Sequence, residues 1–591
     1  MTARCLCRDS RPRRSGGAEL RGQGLQRRYG SSAALLRFSF VGLILFVAAS
    51  AFGQTPAFDL VITNGHIVDG TGSPWYSGDI GIRDGKIAAI GNLSAAPRKR
   101  TIDAHGKVVA PGFIDMLGQS ELTILVDPRL PSKIFQGITT EITGEGSSPA
   151  PLTDATIQSD RSGYDHYKIN PDWRTFRQYF SRLEKQGIGI NVADYVGATQ
   201  VRRVVLGDED KQPTPEQLEQ MKALVREAMK DGAVGVSTSL EYAPAPYAKT
   251  DELIALAAEA SKFGGIYATH MRDESNSVLE AIDEALRIGR EAHVPVEIWH
   301  IKVAGKANWG RMPEVVAKIN AARAAGADIT ADTYAYTAWF NDFSAFIPPW
   351  AHDGGTAKLV ERLKDPATRE RIRKDMLTPS GSWDNEWQEI PGPESIMIGA
   401  VQNPKLLPLQ GKRISEIAKL WNKDPMNTIF DFLIEDPSTG VAVFGMSQPD
   451  VTLALQQPWV SIDNDSEGTS PEGILGQAHP HPRAYGTFPR ILSKYVREEK
   501  VLTLEDAIRK FSALPAQRLH LNDRGVLKAG MWADITIFDP ATIHDRATFD
   551  NPNQLSEGME YVLVNGVPVI DQGKMTAALP GKVLRGAGYA P

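Results

Sequence analysis

GGIYATHMRDES, Gly264 to Ser275, and PVEIWHIKV, Pro295 to Val303, decide how this chain is read. Each is a short β-branched and aromatic run that ends on or near a histidine, His270 in the first and His300 in the second. Between them, SNSVLEAIDEALRIGREAH has the period of an amphipathic helix. Leu279, Ile282 and Leu286 fall on one face, and Ser277 and Glu280 have capping-box spacing at its start. Strand, helix and strand predict a βαβ unit whose two strands are parallel neighbours. Both histidines then stand at the carboxyl ends of adjacent strands, the face on which α/β barrels keep their chemistry. Two imidazoles one repeat apart suit a shared metal ion, zinc by ligand preference.

The same alternation extends outward. VVAPGFIDML, GITTEITGE, GINVADYVG, GAVGVSTSL, GIYATH, VEIWHI, ADITADTY, VAVFGMS and PWVSIDND read as strands, with helical patterns between most of them. One such pattern, Thr214 to Gly232, opens with a Thr-x-x-Gln cap signal. The expected fold is α/β, a metal-dependent (β/α)8 TIM barrel over residues 111–520. Nine candidates compete for eight places, and VAVFGMS is expected to lie outside the barrel. Residues of about 339–439 carry Pro, Trp and charge with little strand pattern, which predicts an insertion after the seventh strand, a small helical subdomain over the active-site mouth. Both ends of the chain read differently, as short alternating segments with hairpin-turn pairs at Asn64-Gly65, Asp84-Gly85 and Asn565-Gly566. Residues 54–110 and 521–591 are therefore expected to build one small β-sandwich domain together.

Composition narrows the function classes. A formal net charge of -6 and a pI of about 6.1 give no footprint for nucleic acid. The only cysteines are Cys5 and Cys7, so the body holds no disulfide framework and no cysteine metal site. Residues 1–37 are rich in Arg, Gly and Ser, and an uncharged run follows from Phe38 to Phe58. Its apolar part has signal-peptide length, and Ala51-Phe52-Gly53 offers a small-residue cleavage site before Gln54. Residues 1–53 thus predict export to the periplasm or the extracellular space, with an uncleaved anchor as the alternative.

Carboxylates stand at other strand ends. Glu145 follows the second strand between two glycines and offers a third ligand beside His270 and His300; three protein ligands plus a water is the catalytic zinc pattern. Asp463 and Asp465 end the last strand. Asp465, at the carboxyl end, is the choice for moving a proton between water and a leaving amine, and Asp463 is the fallback. Lys302 lies two residues past His300, and Arg483 lies in a predicted loop after the last strand; cations there suit a carboxylate-bearing substrate. Tyr334 can lend a hydroxyl.

Taken in order, VITNGHIVDGTG, APGFID, QGITTEITGEG, GAVGVSTSLEYAP, YATHMRDES, HIKVAGKANWG, DTYAYTA, HPRAYGTFPRIL and RGVLKAGMWADITIFDP resemble the amidohydrolase superfamily and, within it, the D-aminoacylases. The resemblance spans about Phe58 to Ile570. It implies hydrolysis of the amide of an N-acyl-D-amino acid by a metal-activated water. His270 and His300 match the family's metal histidines, Asp465 its catalytic aspartate, and Lys302, Tyr334 and Arg483 its substrate-carboxylate positions. The family's first strand usually ends Asp-x-His-x-His, whereas here Leu117 and Gln119 replace both histidines. Glu145 stands where the family has a metal cysteine. These departures predict one ion rather than two, and they keep manganese and iron beside zinc as candidates. A dipeptidase, a cyclic-amide hydrolase or a metal-poor binding relative remain alternatives, each acting on a small peptide-like molecule.

Overall fold

The computed structural model describes residues 57–591 except 380 and 382, so the expected signal peptide at 1–53 lies outside the described residues. No described helix is long and apolar enough to cross a membrane. Eight parallel strands form the barrel: β1 Phe113–Asp115, β2 Ile138–Thr143, β3 Asn191–Asp194 with its continuation Val196–Gly197, β4 Gly235–Ser239, β5 Ile266–His270, β6 Val296–Ile298, β7 Ile329–Thr333 and β8 Val460–Ile462. The ladder runs β1-β2-β3, passes to β4 through Val196–Gly197, and continues in order to β7 and β8. It closes where the Met116 amide meets the Ile462 carbonyl at 3.5 Å and Gly118 bridges Ser466. Every residue of these strands is buried, as expected for parallel strands covered on both faces.

The unit that opened the reading forms as expected. β5 and β6 pair in parallel with Thr269 opposite Ile298, and the helix Val278–Ala292 lies between them in sequence. Its predicted capping box does not form. Ser277 makes no side-chain cap; instead Asp273 Oδ1 accepts from the amides of Ser275 and Ser277 at 2.9 and 2.8 Å, because the chain turns sharply just after His270. The second predicted cap does form: Thr214 and Gln217 satisfy each other's orphan amides at the start of Pro215–Asp231, and Gly232 ends that helix with φ 116.

VAVFGMS lies outside the barrel, as its surplus predicted. Gly440–Val443 is the central strand of a three-stranded antiparallel sheet, flanked by Trp339–Asp342 and Ile396–Ile398. The insertion is therefore not purely helical. Its sheet went unread because two of its strands sit one hundred residues apart in sequence and are three or four residues long.

Both chain ends share one nine-stranded sheet. Val108–Pro111 pairs antiparallel with Ile535–Phe538, which joins the two halves. Asp84-Gly85 and Asn565-Gly566 are hairpin turns with both residues at positive φ, as read. Asn64-Gly65 is not a turn. It is a bulge inside the strand Phe58–Ile67, with Asn64 at φ 56, at the point where that strand changes partner from Arg98–Asp103 to Val108–Pro111. Val109 Cγ2 would lie 2.5 Å from a Cβ at position 65, so glycine is needed there. HPHPRAYGTFPR is likewise not a loop: Arg483–Arg490 is a helix, and Pro489 inside it is followed by a π-helical stretch, Ile491–Glu498.

Candidate metal centre

The centre is assembled at the carboxyl ends of the barrel strands. His270 is the last residue of β5, and His300 lies two residues beyond β6 at φ 34. Glu145 follows β2 between Gly144 and Gly146, both at positive φ. A Cβ at 144 would approach the Tyr195 carbonyl to 2.5 Å, and one at 146 would approach Ser239 to 2.6 Å, so the two glycines let the Glu145 loop pack against its neighbouring strands. Asp465 follows β8 at φ 43. Two of the four key residues thus hold left-handed backbone, a conformation that side-chain-bearing residues adopt rarely and often at functional sites.

Glu145 Oε1 lies 3.1 Å from His270 Nδ1 and 3.6 Å from His300 Nε2. Oxygen and nitrogen ligands around a tetrahedral zinc stand roughly 3.4 Å apart, so the three atoms fit one ion. The other nitrogen of each ring meets a carboxylate. His270 Nε2 is 2.8 Å from Glu241 Oε2, and His300 Nδ1 is 3.2 Å from Glu274 Oε1. Such outer carboxylates fix a ligating imidazole's tautomer and turn its free lone pair toward the metal. Glu274 Oε2 also pairs with Lys302, whose Nζ donates to His300 Nδ1 at 2.7 Å.

The charges are strongly interdependent. Burial pulls the His270 imidazole down, but Glu274, Glu145 and Glu241 outweigh it and hold it well above its ordinary range. Burial pushes the Glu145 carboxyl up, yet its contacts with His270 and His300 hold it well below. Asp465 is raised by burial, with Arg483 and His300 opposing. A site that holds negative donors beside two imidazoles in this way is matched to a cation.

Five of the seven predicted residues, Glu145, His270, His300, Lys302 and Asp465, line one cavity of about 460 Å³. Tyr334 and Arg483 are buried one layer deeper. Arg483 Nη1 pairs with Asp465 Oδ2 at 2.7 Å, and its guanidinium lies 4.7 Å from the Tyr334 ring centre. In this structure the Arg483 charge is thus directed at Asp465. Asp463, the fallback, is fully buried, and it faces Asp332 rather than the cavity. Gln119 occupies the first-strand end where the resemblance expects histidine. Its amide donates to Glu145 Oε2 at 2.7 Å and to Asp465 Oδ1 at 3.1 Å, tying the third ligand to the proton carrier.

The reading of the sequence missed Glu241 and Glu274 as partners of the histidines, although LEYAP and MRDE stand at strand ends like the residues it did find. It also missed Asn341, Asp342, Asp384, Glu386 and Glu389, which the insertion brings to the cavity wall. No local pattern marks these.

Residues 100–372 and 468–570 match the amidohydrolase family, and residues 47–111 match the N-terminal domain of the urease alpha subunit. The chain belongs to the amidohydrolase family. It is 36% identical to N-acyl-D-glutamate deacylase of Alcaligenes xylosoxydans xylosoxydans over 89% of this chain and 96% of that one. It is 35% identical to the D-aminoacylase of the same organism over 89% and 97%. Among solved structures it superposes with a TM-score of 0.75 on N-acyl-D-glutamate deacylase from Bordetella bronchiseptica, at 33% identity over 89% of this chain and 99% of that one. That structure holds zinc and a phosphonate that mimics the tetrahedral intermediate. A D-aminoacylase structure superposes with a TM-score of 0.74, and D-aminoacylase has been described with a binuclear metal centre.

Proposed function

We propose that this chain is a metal-dependent deacylase of N-acyl-D-amino acids and that it works with a single ion, zinc by ligand preference. The observation that carries the reading is the convergence of Glu145, His270 and His300 beside Asp465 in one cavity. Both deacylase relatives, covered almost end to end, support the substrate class. A divalent ion at these three residues would supply Lewis-acid polarisation of the scissile carbonyl and acidify the attacking water. The chain's own residues do the rest. Asp465 accepts a proton from the attacking water and returns it to the leaving nitrogen. Gln119 holds Asp465 and Glu145 in register, and Glu241 holds the His270 imidazole in ligand orientation. Lys302 is the cation that meets the substrate's α-carboxylate; Arg483 and Tyr334 support Asp465 from behind.

Replacement of the expected first-strand histidines by Leu117, fully buried and apolar, and by Gln119, an amide, supports one ion over two. The apolar run before Gln54 supports export, which cell fractionation tests directly. The deacylase reading is tested with N-acetyl-D-amino acids. Turnover is expected from the wild type, and Asp465→Asn should lower kcat by about a hundred- to ten-thousand-fold with metal content kept. Full turnover in that variant would remove Asp465 from its role.

A further inference from the structure

The cavity beside the metal centre is strongly and unevenly acidic. Asp160 and Asp208 on its wall pair with Arg203 at 2.7 and 2.8 Å, and Glu274 pairs with Lys302. Glu145 and Asp465 belong to the centre itself. Asp384 is engaged by the backbone loop after β5, accepting from the Glu274 amide at 2.8 Å and the Ser275 hydroxyl at 2.5 Å. Glu241 is engaged by His270, which leaves Asp342, Glu386 and Glu389, and none of these has a lysine or arginine partner among the described residues. Glu386 is 2% exposed and Glu389 5%. Glu386 Oε1 accepts from Asn341, whereas Glu386 Oε2 and Glu389 Oε1 are buried with no hydrogen-bond partner among the described residues.

Buried carboxylate oxygens without a donor or counter-charge are costly, and proteins keep them where a ligand completes them. Burial, with Asp384 nearby, pushes the Glu389 carboxyl well above its ordinary range, and burial with Glu241 nearby does the same to Glu386. Tyr242, Trp339 and Phe340 line the same cavity. Acidic groups without a basic partner and aromatic rings in one cavity suit an organic cation, since ring faces attract positive charge. A cationic side chain would draw both carboxyls into their ionised form, whereas an anionic one would find no positive partner beside them.

We propose that this cavity is the side-chain subsite of the substrate and that it selects N-acyl-D-amino acids with a cationic side chain, the lysine, ornithine or arginine type, seated between Glu386 and Glu389. The proposal rests on the deacylase reading above. It departs from what 36% identity to an N-acyl-D-glutamate deacylase would suggest, because Glu386 and Glu389 come from the insertion rather than from the barrel.

The test is a substrate panel with the full mature chain: N-acetyl-D-lysine, N-acetyl-D-arginine, N-acetyl-D-leucine and N-acetyl-D-glutamate. The basic substrates should exceed the glutamate substrate in kcat/KM by about a hundredfold or more. In Glu389→Gln, and separately in Glu386→Gln, the basic-to-neutral ratio should fall at least tenfold. Calorimetry with the product D-arginine gives a second readout, with binding expected in the wild type and weakened in both variants. Preference for N-acetyl-D-glutamate, or a ratio unmoved in both variants, overturns the proposal. D-Arginine binding that both variants lose, without turnover of any substrate in the panel, keeps the cation subsite and overturns the deacylase reading instead. Two metal ions per chain that fall to one in Glu386→Gln, with no basic preference, would assign the carboxylates to a second metal and overturn the proposal.

Discussion

His270 and His300 show how one residue's role is set by a neighbour that the sequence does not advertise. Either ring can ligate a metal only in the correct tautomer, and for His270 it is Glu241 that supplies the acceptor selecting it. Glu241→Gln keeps the side chain's size but weakens its pull on the His270 N–H. The expected result is a ten- to hundredfold loss of zinc affinity, read by competition with a chromogenic chelator, with the fold unchanged by circular dichroism. Unaltered affinity would make Glu241 a bystander. Gln119 acts differently, since its amide bridges Glu145 and Asp465. Gln119→Leu should lower kcat while leaving metal content intact, because it frees the proton carrier without removing a ligand. At this scale the sequence was legible where the residue type is rare and stands at a strand end, as with the two histidines. It was illegible where the chemistry is one carboxylate of 71, as with Glu386 and Glu389.

The closure between the first and last barrel strands is held by one buried lysine. Lys133 Nζ lies 2.7 Å from Asp115 at the end of β1, 3.2 Å from Glu141 in β2, 2.8 Å from the Asn464 amide oxygen and 2.7 Å from the Ser466 carbonyl. Asp465 sits between those last two contacts in left-handed backbone, so Lys133 fixes the segment that presents it. Lys133→Met leaves two buried carboxylates uncompensated and should cost about 3–5 kcal/mol in denaturant unfolding. A change under about 1 kcal/mol would show that the strand ends hold without it. The elements themselves were largely readable. The buried parallel strands announce themselves as short β-branched runs between helical patterns, and the Thr214 cap is a local event between residues three apart. The misreadings have a common cause, which is that a distant partner decided the local form. Asn64-Gly65 became a bulge because Val108–Pro111 adds on beside it. The Ser277 capping box is lost because Asp273 takes the Ser277 amide that Glu280 would have accepted from.

Across the whole molecule, the chain's last residues bind the barrel at the end opposite the metal centre. Gly581 and Leu584 donate to Ile188 and Val192 at 2.8 and 2.7 Å, and Gly586 and Ala590 donate to Gly232 and Lys230 at 2.8 Å. These contacts sit at the amino ends of β3 and β4, far from the catalytic face. Deleting residues 577–591 should therefore lower the melting temperature and speed amide exchange around residues 188–192, while KM for substrate is kept in the cold. A changed KM with unchanged melting would contradict that division of labour between the faces. The insertion has the opposite role, since its wall completes the cavity and carries the proposed specificity. The central claim is that three residues from three strand ends hold one catalytic ion, and metal analysis of the purified chain from Gln54 onward, beside Glu145→Ala, tests it most directly. The account predicts about one zinc per chain in the wild type and its loss in the variant. Two ions in the wild type, or one ion that survives in Glu145→Ala, would contradict it.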